Sequence, residues 1–265
     1  MGMADLLTPL LFSLGLNLSL FLFAYWKRTD KLTDISYALT FASIAGFSFL
    51  ISDKSAGKAI ALFLVLLWAF RLGSFLLSRV VRVGKDARFD GMRENFFSFL
   101  RFWVLQAIVA WIVSFSVILL MSSPSASPSA SPLGNFSIVS LIGAVLALLG
   151  LLVESIADNE KRAFSLNPKN KGKWIEEGLW KYSRHPNYLG EIAFWVGIYI
   201  FSFPNLSQKD ALIALASPIV ISLLLLFASG IPILEKRADE KWGKNKKYLE
   251  YKKRVPVLAP RIFPK

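Results

Sequence analysis

The chain has 265 residues, 54% of them hydrophobic, and a formal net charge of +13 at pH 7. Because it has no cysteine and one histidine, disulfides, zinc–cysteine sites and thiol catalysis are excluded, and a multi-histidine metal site is disfavoured. The hydrophobic residues occur in long uncharged blocks, a pattern typical of an integral membrane protein and not of a soluble domain. We predict no metal ligands.

The first apolar block, residues 6–26, has no charge and is long enough to cross roughly 30 Å of hydrocarbon. Neither a basic segment nor a clear cleavage site precedes it, so we interpret it as a retained span. Six more apolar blocks follow, and the sixth is short for a span. The predicted spans are 6–26, 33–52, 59–78, 99–121, 135–157, 189–203 and 211–234. The sequence therefore predicts an all-α integral membrane protein of about seven transmembrane helices.

The connectors between these blocks alternate in charge. Most Lys and Arg lie in the first, third and fifth connectors and in the tail, 235–265, which predicts an outside N-terminus and a cytosolic C-terminus. The fourth connector contains the low-complexity Ser/Pro/Ala segment 122–131, which we expect to be a flexible outside loop. We predict one membrane domain over residues 1–265, located in a bacterial inner membrane. Because membrane topology explains the basic charge, we expect no nucleic-acid partner.

A few ionisable residues lie within or at the rim of the apolar blocks, where desolvation is costly and functional roles are common. They are Asp34, Arg71, Glu154, Asp158 and Glu191. Tyr37 shares a helix face with Asp34, and Trp68 shares one with Arg71, since each pair is three residues apart. Each ionisable residue alone could cap a span or reach back to the interface. As a set they predict a polar pocket that opens on the cytosolic side.

The string GLWKYSRHPNYLGEI contains the only histidine, His185, at the start of the sixth apolar block. A residue before proline avoids helical geometry and proline favours the first helical position, so we expect a helix to begin at Pro186. Helix starts attract anions, and Arg184 adds a positive charge. Asn187 and Glu191, four residues apart, share one helix face. The string therefore predicts a site for a phosphate-bearing ligand, with simple anchoring at the membrane interface as the alternative.

Basic residues in two connectors support an anionic ligand. Lys169, Lys171 and Lys173 lie in the fifth connector, and the third contains Arg79, Arg82, Lys85 and Arg88. Solvated charges that set the topology are the alternative explanation for any one of them. Neither a GxGxxG nor a GxxxxGK[ST] string occurs, so we expect neither a Rossmann site nor a P-loop. A bound nucleotide would be held by membrane helices and their loops.

The C-terminal half, roughly 154–263, resembles the steroid 5-alpha-reductase family, and most of all a bacterial branch long described as a domain of unknown function. The resemblance is carried by GLWKYSRHPNYLGE, by ADNEKRAF before it and by YLEYKKRVPVLAPRIF after it. The segment 71–90 is similar to the same branch, and DKLTDISYALTF matches more loosely. The resemblance implies a membrane enzyme that uses NADPH to reduce a carbon–carbon double bond conjugated to a ketone, typically in a 3-oxo-Δ4 steroid. Hydride would pass to the enone β carbon while an acidic group polarises the ketone.

The resemblance also implies roles for single residues. Asn187 and Glu191 would hold the nicotinamide end of NADPH, and Asp158 and Lys173 would contact the cofactor elsewhere. Together with the residues at the predicted helix start, the expected cofactor-binding residues are Arg71, Arg79, Asp158, Arg162, Lys173, Arg184, His185, Asn187, Tyr188, Glu191, Arg237, Tyr248 and Tyr251.

At the ketone, the family places a Glu on its second helix and a Tyr on its third. Asp34 and Trp68 stand at those positions here, with the same spacing. A Trp can donate a hydrogen bond but cannot supply a proton, and Tyr37, one turn from Asp34, is the candidate for the missing phenol. The predicted catalytic residues are therefore Asp34, Tyr37 and Trp68.

Other functions stay open. Membrane methyltransferases of the isoprenylcysteine carboxyl type also carry RHPxYxG at a helix start, where it serves S-adenosylmethionine. A non-enzymatic lipid transporter would use helices broken by Pro or Gly, for which Pro218 and Gly230 are weak signals. Reductases of other double bonds are a further alternative. In each enzyme we expect a hydrophobic, steroid-like enone or comparable small molecule that enters from the lipid, membrane lipids as surroundings, and a monomer.

Overall fold

The computed structural model describes residues 3–83, 89–124 and 137–259, and within these residues the regular secondary structure is entirely helical. The α-helices are α1 Met3–Trp26, α2 Lys31–Leu50, α3 Ala56–Val83, α4 Phe96–Val113, α5 Phe115–Ser122, α6 Ile138–Leu166, α7 Pro186–Ser202, α8 Gln208–Ala214, α9 Ala216–Leu223, α10 Ile231–Trp242 and α11 Lys246–Arg254. Short 3-10 turns lie at Pro168–Asn170, Gly178–Lys181 and Phe203–Asn205, and a π-helical turn, Leu224–Ala228, follows α9. Residues 125–131 of the predicted outside loop lie outside the described residues, as do Lys85 and Arg88.

Five helical segments in the described residues are long and apolar enough to cross a membrane: Asp5–Trp26, Ala56–Val80, Phe96–Val113, Ile138–Leu166 and Gln208–Trp242, the last of which runs from α8 to α10. This confirms an all-α, multi-pass membrane architecture, while seven spans are not confirmed. The second predicted span forms α2, which contains two charged residues and several Ser and Thr. The sixth forms α7, which has 17 residues and is shorter than a typical span. Seven spans and the orientation of the termini stay predictions.

The chain forms two compact units. Unit 1 comprises Met1–Ala144 and Ile198–Ser217, and unit 2 comprises Val145–Gly197 and Pro218–Lys265. One membrane domain with a basic tail stays a prediction.

In unit 1, hydrogen bonds between buried side chains join α1, α2 and α4. Asn17 Nδ2 donates to Thr40 Oγ1 at 2.9 Å, and Gln106 Nε2 donates to Asn17 Oδ1 at 3.1 Å and to Ser36 Oγ at 2.8 Å. Polar side chains in apolar helices are stable when they bond one another, and such bonds contribute about 0.6–2 kcal/mol each. The network therefore fixes the mutual register of these three helices.

Two buried cations, Arg93 and Lys58, connect segments of unit 1 that are distant in sequence. Arg93 is paired with Asp30, at 2.7 Å, so the loop before α4 is tied to the residue that precedes α2. Lys58 donates to the carbonyl oxygens of Met121 at 2.9 Å and Ser123 at 2.6 Å. These carbonyls end α5, where a positive charge is stabilised by the helix dipole. Both cations are buried because their partners replace water.

In unit 2, α6 and α7 cross with their backbones in direct contact at two glycines. A Cβ on Gly190 would lie 2.6 Å from Gly150 O and 2.6 Å from Glu154 N. A Cβ on Gly150 would lie 2.5 Å from Phe194 N. Small residues permit this close approach, which is common between membrane helices. The crossing places the buried carboxyl residue Glu154 of α6 beside the first turns of α7.

Candidate functional site

Unit 2 contains a cavity of about 450 Å³, within the usual range of small-molecule sites. Its walls come from the end of α6, the loop that follows it, α10 and α11. Six lining residues are basic: Lys161, Lys171, Lys173, Arg184, Arg237 and Lys241. Six are aromatic: Phe164, Trp174, Trp180, Trp242, Tyr248 and Tyr251. Among the described lining residues the one acid is Glu235. The cavity therefore combines positive charge with flat apolar surfaces.

The aromatic side of the cavity joins the loop after α6 to α10 and α11. The ring of Trp174 lies 5.3 Å from Tyr248 and 6.1 Å from Trp242, both nearly edge to face. Trp242 Nε1 donates to Gly172 O at 2.7 Å, which holds the basic loop against α10. Trp174 Nε1 is buried and makes no hydrogen bond within the described residues. A buried donor of this kind is a candidate contact for a ligand.

The GLW string forms the turn that supports another wall. Gly178 has a φ of 58°, and a Cβ there would clash with the carboxylate of Glu160. That carboxylate accepts a hydrogen bond from Leu179 N at 2.9 Å. Trp180 Nε1 then donates to Ala157 O at 3.0 Å, and Tyr251 Oη donates to Trp180 O at 3.1 Å. The glycine is thus needed for backbone geometry, and the turn places Trp180 in the cavity wall.

The RHP string, Arg184 to Pro186, leads into α7, which begins at Pro186 as expected. Arg184 Nη1 lies 2.8 Å from Glu235 Oε2, and His185 Nε2 lies 2.9 Å from Glu235 Oε1. Lys252 Nζ lies 3.2 Å from Glu235 Oε2. The Arg184 contact is an ion pair without the alignment of a hydrogen bond. Glu235, on α10, thus contacts residues of the RHP string and of α11 at one edge of the cavity.

Burial sets the protonation states around this edge. Burial lowers the pKa of His185, and the hydrogen bond to Glu235 only partly offsets this effect, so the ring is neutral at neutral pH. Burial raises the pKa values of Tyr248 and Tyr251, so both phenols keep their protons. Burial also lowers the pKa of Lys252, but its hydrogen bonds to Asp239 and Glu235 outweigh burial and raise it. The edge therefore offers the hydroxyl of Tyr248, cations and a neutral imidazole, while the hydroxyl of Tyr251 already donates to Trp180 O.

Six of the predicted cofactor residues line this cavity, namely Lys173, Arg184, His185, Arg237, Tyr248 and Tyr251. Asp158 and Glu191 are buried in unit 2, and Arg162 is exposed. Asn187 Oδ1 is buried without a hydrogen-bond partner in the described part of the chain. Tyr188 stacks on His185 with ring centres 5.7 Å apart. These five residues do not line the cavity, and the roles assigned to all eleven stay predictions.

Unit 1 contains the predicted catalytic residues and two predicted cofactor residues. Asp34 of α2 is paired with Arg79 of α3 at 2.7 Å. Phe41 lies between the two predicted aromatic residues, with ring centres 5.0 Å from Tyr37 and 5.1 Å from Trp68. The structure therefore groups these side chains along the packed faces of α2 and α3. Arg71 lies with its guanidinium 5.7 Å from the ring of Phe75.

Several cavity residues were missed by the reasoning from sequence: Lys161, Trp174, Trp180, Glu235, Lys241 and Trp242. Each resembles an ordinary interfacial aromatic or tail charge when the sequence is considered alone. A usable signal was the interleaving of Trp with Lys in NKGKW and in EKWGK, since nucleotide sites combine aromatic faces with cations. Glu235 had no such signal, because its partners are 50 residues away or on another helix.

Comparison with protein families gives a match over residues 20–255, to a family described as a protein of unknown function, DUF1295. The chain belongs to the DUF1295 family. This family is steroid 5-alpha-reductase-like, which confirms the broad resemblance and leaves its finer assignment open.

Among curated proteins, 60 residues are 33% identical to the probable O-methyltransferase ustE of Ustilaginoidea virens. The matched segment is 23% of this chain and 21% of that protein, so the chain spans about a fifth of the length of the curated relative it matches. No solved structure matches the chain.

Proposed function

We propose that this protein is an NADPH-dependent membrane reductase of a carbon–carbon double bond conjugated to a ketone, with 3-oxo-Δ4 steroids as the first substrates to test. The observation that carries this proposal is the cavity of unit 2, with six basic and six aromatic residues in its walls. Phosphates suit the cations and the adenine ring suits the aromatic faces. The reductase chemistry itself rests on the family resemblance.

The charge of the cavity favours NADPH over S-adenosylmethionine. NADPH is a polyanion, whereas S-adenosylmethionine carries a sulfonium cation and no phosphate. Among the described lining residues six are basic and one, Glu235, is acidic, and that acid is already paired with Arg184 and Lys252. A cation would therefore be repelled, while an anion would gain charge-assisted hydrogen bonds.

Some residues of the chain would bind NADPH, and others would polarise the substrate ketone. Lys173 and Arg237 would hold phosphate groups, and Trp174 would offer a face for the adenine. NADPH would supply the hydride. A hydrogen bond to the ketone oxygen would stabilise the enolate charge that develops there. The resemblance implies that Asp34 or Tyr37 would supply this hydrogen bond.

The deciding experiment is ligand binding to the detergent-purified protein, followed as a shift in melting temperature. NADPH, NADH and S-adenosylmethionine are compared at equal concentrations. We expect a shift with NADPH that weakens in Lys173→Gln and Arg237→Gln, and little shift with S-adenosylmethionine. Oxidation of NADPH at 340 nm is then screened with 3-oxo-Δ4 steroids. A shift with S-adenosylmethionine alone would refute the reductase proposal.

The second candidate function is methyl transfer from S-adenosylmethionine. The similarity to a probable O-methyltransferase favours it, although that similarity covers 60 residues. The aromatic faces of Trp174 and Trp242 could hold the adenine of either cofactor. The same binding comparison separates the two functions, because their cofactors differ in the sign of their charge.

A further inference from the structure

We propose that Glu235 is a positioning residue, which holds His185 in the tautomer whose Nδ1 is a hydrogen-bond acceptor, and that this nitrogen recognises an N–H or O–H donor of the ligand in the unit 2 cavity. The ligand class is a nucleotide, whose sugar hydroxyls and amino groups are such donors. This inference deepens the proposed function and rests on it for the identity of the ligand.

The geometry around Glu235 uses its two oxygens separately. Oε1 lies 2.9 Å from His185 Nε2, while Oε2 faces Arg184 at 2.8 Å and Lys252 at 3.2 Å. The two cations balance the carboxylate, so it stays ionised and can only accept hydrogen bonds. The hydrogen between Glu235 and His185 must therefore be on Nε2.

The second nitrogen of the ring then has no hydrogen. A neutral imidazole with its proton on Nε2 presents a lone pair at Nδ1. The ring is neutral because burial disfavours the charged form and lowers the pKa of His185. The nearby cations Lys161 and Arg184 act in the same direction, and Glu235 opposes them. His185 therefore offers an acceptor in a cavity whose other polar groups are mostly donors.

His185 Nδ1 lacks a partner in the described residues, although the residue is only 5% exposed and lines the cavity. Leaving a buried polar atom unpaired is costly, so an atom of this kind calls for an explanation, and a bound ligand is one. Arg184 Nε and Trp174 Nε1, which line the same cavity, are also buried without partners in that part of the chain. These are donors, so the buried unpartnered atoms of the described lining residues include one acceptor, His185 Nδ1, beside donors of Arg184 and Trp174. That pattern matches a ligand with both kinds of group.

The alternative explanation of these contacts is that Glu235 only stabilises the packing of α10 against α11 and the RHP string. The two explanations differ in the tautomer of His185 and in whether ligand changes the state of Nδ1. His185 is the one histidine of the chain, so labelling histidine with nitrogen-15 gives the signals of a single ring. The free protein in detergent at about pH 7.5 should show a protonated Nε2 and an unprotonated Nδ1. A protonated Nδ1 or an imidazolium would overturn the proposal.

Addition of NADPH tests recognition in the same sample. We expect the Nδ1 signal to move as it gains a hydrogen bond, and the Nε2 signal to move less. If the melting temperature shows that NADPH binds while the Nδ1 signal is unchanged, recognition by His185 is refuted and the reductase proposal survives. If NADPH does not bind, the proposed function fails, and S-adenosylmethionine is the second probe for the Nδ1 signal. An unchanged Nδ1 signal with that probe, bound or unbound, would also refute recognition.

The variant Glu235→Gln tests the positioning role. Its amide can donate to Nε2 as well as accept from it, so we expect a mixture of tautomers and an affinity about three- to tenfold weaker. The matched control is Asp239→Asn, which makes the same charge change one turn along α10 and contacts Lys252 but not His185. We expect the control to keep the tautomer and its affinity. Equal affinity and tautomer in both variants would overturn the proposal, and the wild-type spectrum decides it if Glu235→Gln does not fold.

Discussion

Arg79 donates a hydrogen bond from Nη2 to Asp34 Oδ2 at 2.7 Å, which joins two residues that the sequence assigned to different tasks. Asp34 was the predicted acid, and Arg79 was a predicted cofactor contact. In this pair the carboxylate of Asp34 accepts a hydrogen bond, whereas polarising a ketone requires it to donate one. Tyr37, one turn along α2, carries an O–H that can donate. The first test of catalysis is therefore whether Asp34 or Tyr37 donates the hydrogen bond to the ketone.

The variant Asp34→Asn should lower turnover more than NADPH affinity, because an amide cannot supply a proton. General acid catalysis commonly contributes about 10²–10⁴-fold, so a loss of that size in kcat would identify Asp34 as the acid. The measurement is NADPH oxidation at 340 nm with the best steroid of the screen. The companion variant is Tyr37→Phe, which removes only the phenol oxygen. Full activity of Asp34→Asn with a large loss in Tyr37→Phe would transfer the role to Tyr37.

The variants Asn187→Ala and Glu191→Gln should weaken NADPH binding while the protein stays folded. The resemblance places both at the nicotinamide end, and Asn187 Oδ1 is buried without a partner in the described residues. Loss of one such hydrogen bond should reduce affinity by about threefold to tenfold. Titration of the melting temperature with NADPH measures the change, and Tyr182→Phe, on the exposed loop before α7, is the control. Unchanged affinity in both variants would remove α7 from the cofactor site.

The variant Gly190→Ala should destabilise unit 2, because its Cβ would lie 2.6 Å from backbone atoms of α6. Backbone atoms cannot rotate away as a side chain can, so the helices would have to separate. We expect a loss of roughly 1–3 kcal/mol in the free energy of unfolding. The matched control is Gly46→Ala in α2, where no atom of the described residues outside its own stretch of helix lies within 4 Å of the added carbon. That control should be neutral or stabilising by about 0.5–1 kcal/mol, and equal melting temperatures in the two variants would contradict the close crossing.

Stability should depend on pH through His185. Its pKa lies below the ordinary value of 6.5 because the ring is buried, so the unfolded chain takes up a proton that the folded chain does not. The free energy of unfolding should therefore be highest above about pH 6.5 and fall as the pH drops towards the folded pKa. Melting temperatures at about pH 7.5 and pH 5.5 measure this. The variant His185→Gln should show a smaller difference, and an unchanged difference would mean that other groups cause it.

The topology can be tested with single cysteines, since the natural chain has none to remove. Arg28 precedes α2 and Lys54 follows it, and both are exposed. If α2 is a span, Arg28→Cys and Lys54→Cys should react with a membrane-impermeant thiol reagent from opposite sides. Intact cells and inverted vesicles give the two directions. Reaction of both from one side would leave α2 out of the membrane and contradict the seven-span prediction.

The sequence by itself determined the helical membrane class and the start of α7. Long uncharged runs such as 6–26 reveal spans because the cost of desolvation is local and adds along the chain. Pro186 marked a helix start because its ring restricts the preceding residue, which is also a local effect. The basic loops and the RHP string predicted an anionic ligand, again from charges and a helix start that are local in the sequence. The second predicted span, 33–52, however, mixes apolar with polar residues, so its length alone could not show whether it crosses the membrane.

Only the tertiary structure decided which residues share the cavity. Glu235 contacts His185 across 50 residues of sequence, and Trp174 meets Trp242 and Tyr248 from two separate helices. No periodicity encodes these contacts, because they depend on how helices pack and not on the spacing within one helix. The direct contact between Gly150 and Gly190 is of the same kind, since each glycine alone is an ordinary residue of an apolar helix. Local chemistry defined the types of element, and packing defined the site.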